Sequence, residues 1–257
     1  MLTIDLNSDL GESYGNFKIG QDDKVLELIT SANIACGYHA GDHNVMFRTV
    51  QLAIEKNVAI GAHPGFNDLF GFGRRVINSN PRDIYNSVVY QVNALNGFCK
   101  IHGTKMQHVK PHGALFNIAS VNKDIAEAIA EAVYATDPTL ILFGLSGGEL
   151  IRAGEALGLT VANEVFADRT YQPDGTLTSR TEPNAMIKDV DVAVERVITM
   201  AKEGETTAVD GTVIPLKADT ICVHGDEPSA LLFVQKLRLA LLEQNINLQN
   251  VGAVKKS

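Results

Sequence analysis

The sequence has no tryptophan and only three cysteines, Cys36, Cys99 and Cys222. An odd count without a close pair supplies neither a disulfide framework nor a CxxC site. Cys36 and Cys222 sit inside apolar runs, which favours packed thiols over nucleophiles. Basic charge is scarce as well: 22 lysines and arginines against 30 acidic residues leave a net charge of −8. Duplex nucleic acid and anionic membranes both reward a basic face, so neither is the expected partner. A small anion answers to local charge and is not excluded. No apolar run approaches the roughly 18 residues of a membrane span. No basic segment followed by an apolar run follows Met1, so a cytoplasmic protein is expected.

What is present is a chain of 257 residues, 45% hydrophobic, enough for one large core. Short apolar runs alternate with helical patterns. Strands are expected at Thr3–Leu6, Asn33–Cys36, Val58–Ala62, Gln107–Lys110, Thr139–Phe143, Thr160–Glu164 and Thr220–Val223. Helices are expected at Asp22–Ser31, Val45–Lys56, Pro81–Ile101, Val121–Ala135, Gly148–Leu157, Ala185–Glu203 and Pro228–Glu243. Thr206–Ala218 reads as an inserted hairpin turning at Asp210-Gly211. Continuous apolar strands alternating with helices indicate a parallel sheet covered by helices. Seven such units in one chain favour a single-domain (β/α) barrel over residues 1–257, with seven strands identifiable.

The polar residues collect just past the C-terminal ends of these strands, where a barrel builds its active site. There lie Asn7, Asp9 and Glu12; His39, Asp42 and His43; His63; Lys110 and His112; Glu164, Asp168 and Arg169; and His224 with Asp226. Carboxylates, imidazoles and a lysine at one mouth suit proton transfer, metal ligation or binding of a charged substrate. Each also has a plainer role. Glu12 reads equally as a solvated loop carboxylate, and Lys110 as a snorkelling surface residue. Pro111 keeps Lys110 extended, which favours aiming it into the mouth. His43 lies four residues past His39, a metal-ligand spacing that Gly41 weakens. Arg74 and Arg75, after Gly71-Phe72-Gly73, either grip an oxyanion or pair on the surface. Ser146-Gly147-Gly148 offers amides to an anion at a helix start. Neither a Walker A loop nor GxGxxG is present, so no standard nucleotide cradle is visible.

These blocks resemble the LamB/YcsF family, the A component of bacterial ATP-dependent 5-oxoprolinase. The resemblance rests on Asp5-Leu6-Asn7 with Asp9-Leu10-Gly11-Glu12, Ala32–Gly37 with His39–Asp42, and Gly61–Gly65. It continues through Gly71–Arg75, Val109–Leu115, Glu164–Arg169 and Cys222–Asp226, in order, over about 1–240. Ser8, Tyr38 and His43 depart from residues usual in the family, cysteine, phenylalanine and proline. The resemblance implies a seven-stranded barrel related to glycoside hydrolases and polysaccharide deacetylases. It implies cleavage of the 5-oxo-L-proline lactam to L-glutamate, coupled to ATP hydrolysis, with B and C subunits as partners. Asp9, His39, His63, Lys110, His112 and His224 are then the candidate catalytic residues. Asn7, Arg74, Arg75, Asp168 and Arg169 are candidates for substrate or phosphate. By analogy with the wider barrel superfamily, Asp9, His39 and His63 are candidate ligands of a divalent metal. Two alternatives stay open: a stand-alone metal hydrolase acting on an acetylated sugar or amide, and a non-catalytic component that binds substrate for its partners.

Overall fold

A computed structural model describes residues 2–223 and 230–253. His224, the acidic pair after it and Pro228 lie outside the described residues. The barrel strands are β1 (Thr3–Leu10), β2 (Ser31–Ala35), β3 (Ala59–His63), β4 (His108–Val109), β5 (Ile141–Leu145) and β6 (Thr160–Phe166). A hairpin of β7 (Glu205–Thr207) and β8 (Val213–Pro215) precedes the last barrel strand, β9 (Thr220–Val223). Neighbours pair in parallel from β1 through β6, β6 pairs with β9, and β9 returns to β1. The result is a closed seven-stranded barrel. A short β10 (Asn247–Leu248) pairs with the first residues of β1 below the point where β9 takes over.

The helices are α1 (Asp22–Val25), α2 (His43–Glu55), α3 (Pro81–Ile101), α4 (Gly113–Ala119), α5 (Lys123–Thr136), α6 (Glu149–Ala156), α7 (Val190–Glu203) and α8 (Ala230–Glu243). Polar caps set their starts: the Asp42 carboxylate accepts from the Asn44 and Val45 amides, and Asn80 caps α3 ahead of Pro81. No helix among the described residues is long and apolar enough to cross a membrane.

Strand alternation divides each strand between two destinations. Leu6, Ile34, Ala62, Val109, Leu142, Val165 and Ile221 join the apolar core, all buried. Their neighbours in sequence, among them Asp5, Asn7, Asn33, His108, Lys110, Glu164 and Thr220, are equally buried but polar. The barrel interior is therefore a column of hydrogen-bonded groups rather than aliphatic layers. Gly61 permits it: a Cβ there would fall 2.1 Å from the His108 ring.

Three expectations differ from the structure. The first helix ends at Val25, because Ile29 and Thr30 already lead into β2, and the Thr30 carbonyl accepts from Ala59. The seven-residue helix α4, opened by Gly113 at φ +52°, is an addition to the expected set. The helix expected from Ala185 begins at Val190, since Ala185 and Ile187 hydrogen-bond back within the loop and Asp189 is the cap.

Candidate active site

Lys110 stands at the centre of the column. Its Nζ lies 2.9 Å from Asp9 Oδ1, 2.8 Å from Glu164 Oε1, 3.2 Å from Asn7 Oδ1 and 3.1 Å from Cys222 Sγ. Burial works to strip its proton, but Asp9, Cys222 and Glu164 together outweigh burial and hold its pKa well above the ordinary lysine value. Lys110 is thus a fixed cation. Asn7 donates to Glu164 at 3.0 Å and to Thr220 at 2.7 Å, and accepts from Asn33 at 2.7 Å. Asn33 also donates to Asp9 at 2.9 Å. His108 donates through Nε2 to Asn33 Oδ1 at 2.8 Å, and its ring stacks on Phe143. Burial first, then Lys110 and His63, press the His108 pKa down to about 3.

Above this layer, four ligand-capable atoms of Glu12, His39, His63 and His112 lie within 4.8 Å of one another, all on buried residues. Backbone carbonyls select the tautomers. His63 Nδ1 is 2.7 Å from the Lys110 carbonyl, and His112 Nε2 is 2.8 Å from the Phe72 carbonyl. A carbonyl only accepts, so each of these nitrogens carries the proton. In the neutral rings, His63 Nε2 and His112 Nδ1 then present lone pairs to each other at 2.9 Å. Glu12 Oε1, 3.1 Å from His39 Nε2 and 3.6 Å from His112 Nδ1, adds further acceptor density, and Asp9 Oδ2 is 3.2 Å from His63 Nε2. Burial and the neighbouring imidazoles hold the pKa values of His39 and His112 well below the ordinary histidine value. Acceptors converge here without enough protons to share, and neutral imidazoles with a carboxylate are what a divalent transition metal takes. The donor set fits a metal held by Glu12, His39, His63 and His112.

The loop after β3 braces this cage. His39 and His112 stack face to face at 3.6 Å, and Gly73 passes so close that a Cβ would come within 2.6 Å of His39 and 2.8 Å of His112. Phe72 holds a left-handed φ of +54°, rare for a bulky residue, in the segment that offers its carbonyl to His112.

The cage opens on a cavity of about 660 Å³ lined in part by Asp9, Glu12, His63, Lys110, His112, Arg74 and Arg169. Asn7 is fully buried beneath the site and holds Lys110 and Glu164 from below. Arg75 and Asp168 do not line the cavity. Arg75 instead pairs with Asp68, whose carboxyl it presses down to about 2, and that pair ties the loop together. His43 is exposed at the start of α2, outside the cage. Glu12 and His112 enter the ligand set beside His39 and His63, while Asp9 is bound to Lys110. The sequence signal for Glu12 is its place three residues past Asp9 at a strand end. Glu164, equally at a strand end, is the buried partner of Lys110.

A model of the LamB/YcsF family matches residues 4–256. The chain belongs to the LamB/YcsF family. It is 66% identical over 252 residues to the A component of 5-oxoprolinase from Halalkalibacterium halodurans, covering 98% of each chain. It is 57% identical to the same component from Bacillus subtilis, again covering 98% of each. The lactam utilization protein of Thermus thermophilus superposes with a TM-score of 0.91 at 41% identity, covering 96% of this chain and 99% of that one. T48 deacetylase shares the fold at a TM-score of 0.50 and 14% identity, covering 98% of this chain and 89% of its own.

Proposed function

We propose that this chain is the A component of an ATP-dependent 5-oxoprolinase, cleaving the lactam of 5-oxo-L-proline to L-glutamate with ATP hydrolysis, alongside B and C subunits. The observation that carries this reading is a fixed lysine cation beside a donor-poor histidine cage, both opening on one cavity in a LamB/YcsF barrel.

An amide resists water, so its carbonyl must be activated. In this reading phosphoryl transfer from ATP to the lactam oxygen makes the ring carbon more electrophilic. Water adds there, the ring C–N bond breaks with the nitrogen taking a proton, and a second water cleaves the resulting acyl phosphate, leaving glutamate, ADP and phosphate. Lys110 and Arg74 stabilise negative charge developing on the oxygens, at positions fixed before the substrate arrives. His63 and His112, their tautomers set by the Lys110 and Phe72 carbonyls, turn one lone pair each toward the water, as general bases when the cage is empty and as ligands when it holds a metal. Asp9 orients both, through Lys110 on one oxygen and His63 on the other. His39 stacks on His112 and holds Glu12 in place. Glu12, His39, His63 and His112 would hold a divalent metal, which would supply Lewis-acid polarisation and a more acidic water. His224, Asn7, Arg75, Asp168 and Arg169 complete the proposed site, Asn7 and Arg75 from beneath and behind it.

The test is glutamate release from 5-oxoproline by the purified chain, with and without ATP and with and without the B and C subunits. Release that needs ATP and all three components is expected. The donor-poor cage also favours a second reading, a stand-alone metal hydrolase acting on an acetylated sugar or amide. That reading requires activity of the chain alone with metal and no nucleotide. Ligand binding without turnover under every condition would instead make it a binding component.

A further inference from the structure

The excursion between β6 and α7 builds a wall of the cavity for which the reaction above has no defined use. Arg169 lines that cavity although it is only 3% exposed. Its Nη2 donates to the Thr178 carbonyl at 2.5 Å, and its Nε, fully buried, has no partner among the described residues. Burial first, then Arg180, lower its pKa to about 10, against the smaller raising effects of Asp168, Tyr171 and Cys222. At neutral pH Arg169 is still a cation. A buried cation that hydrogen-bonds only to a backbone carbonyl among the described residues is costly unless an anion joins it.

The backbone holding it is not loose. Thr170 and Thr178 are joined by a hydrogen bond, Thr170 donates to the Ala185 carbonyl, and Ile187 donates to the Asp168 carbonyl. Tyr171, buried at the base, accepts from the Phe166 amide through its hydroxyl. Arg180, Ser179 and Thr181 line the same cavity from further along the excursion. By contrast, the lysine at the other side of the cavity is already matched by Asp9 and Glu164. Within one cavity, then, one cation is matched by two carboxylates, while Arg169 hydrogen-bonds among the described residues only to a backbone carbonyl. Phe116, Phe166 and Leu177 line the space with apolar surface suited to ring methylenes.

We infer that Arg169 and Arg180 form a clamp for the carboxylate of the substrate, the ring α-carboxylate under the reading proposed above, on which this inference rests. A guanidinium fork grips a carboxylate with paired N–H groups, and burial strengthens the grip. Substrate selection then comes from this wall, and bond breaking from the lysine and histidine side.

The experiment compares 5-oxoproline with its uncharged carboxamide in the three-component complex, for the natural chain, Arg169→Gln and Arg180→Gln. The natural chain is expected to prefer the acid. Each variant is expected to raise KM for the acid by about ten-fold or more, the scale of a charge-assisted hydrogen bond, and to lose preference over the amide with kcat changed far less. Arg180 is exposed, so its variant keeps the test valid if Arg169→Gln fails to fold. Unchanged acid-over-amide preference in Arg180→Gln would overturn the clamp. If the natural complex releases no glutamate, the functional reading falls, and calorimetric titration of the chain with 5-oxoproline and with inorganic phosphate still tests the clamp. Acid binding that weakens in Arg180→Gln supports it. Phosphate binding that weakens while acid binding does not assigns the wall to a phosphoryl group and overturns it.

Discussion

Two layers of the barrel interior lie against each other and are built on opposite principles. In the lower layer the buried cation is answered: Lys110 meets Asp9 and Glu164, and Asn7 and Asn33 donate to those two carboxylates. In the upper layer Glu12, His39, His63 and His112 bring acceptors together with too few protons between them. Both are buried, so burial does not separate them. Donor balance does. A balanced buried network fixes one geometry, while an unbalanced one is stable only with something added.

The sharpest way to break the comparison is to unbalance the lower layer. Lys110→Met leaves Asp9 and Glu164 facing each other's charge without a cation. We expect a loss of about 3–5 kcal/mol in stability, the usual result of removing one partner of a buried ion pair, read by denaturant unfolding, with turnover abolished. A stability within about 1 kcal/mol of the parent would mean the lower layer is not a charge-balanced unit. The matching change above is His112→Ala. Removing that buried ring leaves a void and frees the Phe72 carbonyl, so stability falls somewhat, but no buried charge is orphaned and the loss should be smaller than in Lys110→Met. Glutamate release by the complex should fall about 10²–10⁴-fold, and binding of zinc or cobalt, followed by calorimetry, should weaken sharply. Retained metal binding would remove His112 from the ligand set.

The two layers are not equally legible in the sequence. Buried parallel strands announce themselves as apolar runs, so all seven barrel strands and the inserted hairpin are readable. The two-residue β10 and the seven-residue α4 are too short to carry a period. Asp9, His39, His63, Lys110 and His112 are readable because each falls near a strand end with a glycine or proline within two residues. Glu12 occupies an equivalent position, but nothing local separates a ligand carboxylate from a solvated one; the Gly73 backbone crossing His39 and His112 decides that, and it is a tertiary fact. Arg180 lies in an irregular excursion without periodicity, where no pattern marks which side chains face the cavity. Arg75 looks the equal of Arg74 in sequence, and only the fold of its loop turns it to Asp68.

The balance also has a signature in acid. His108, in the lower layer, has a folded pKa pressed to about 3 by burial, Lys110 and His63. Its unfolded value lies near 6.5. Between those limits the unfolded chain binds a proton that the folded chain refuses, so stability falls as pH drops through 6.5 and keeps falling toward 3. The contribution approaches about 1.4 kcal/mol per pH unit within that window. Asp5 and Glu164, raised by burial, act with the opposite sign. The comparison is therefore between the natural chain and His108→Gln, whose stability should decline less steeply from pH 6.5 downward. Identical slopes would mean that His108 is protonated in the fold.

The smallest effect is expected where two neighbouring arginines part. Arg74 lines the cavity with its guanidinium 5.0 Å from the Phe72 ring, whereas Arg75 is bound to Asp68 and lies off the cavity wall. Arg74→Gln removes a cation from the side where an anionic oxygen must be held, and should lower kcat/KM about ten-fold or more. Arg75→Gln removes only a brace. The loop keeps the Asp68–Gly71 and Asp68–Gly73 hydrogen bonds, and the Arg75 side chain is itself mostly exposed, so kcat/KM should stay within about three-fold. If the two variants fall equally, the brace matters through the cage: Asp68 and Gly73 anchor the turn that presents the Phe72 carbonyl to His112, and losing that anchor would free the tautomer on which the donor-poor layer depends. Metal affinity separates these outcomes, since Arg74→Gln leaves the His112 tautomer fixed and an unbraced loop does not.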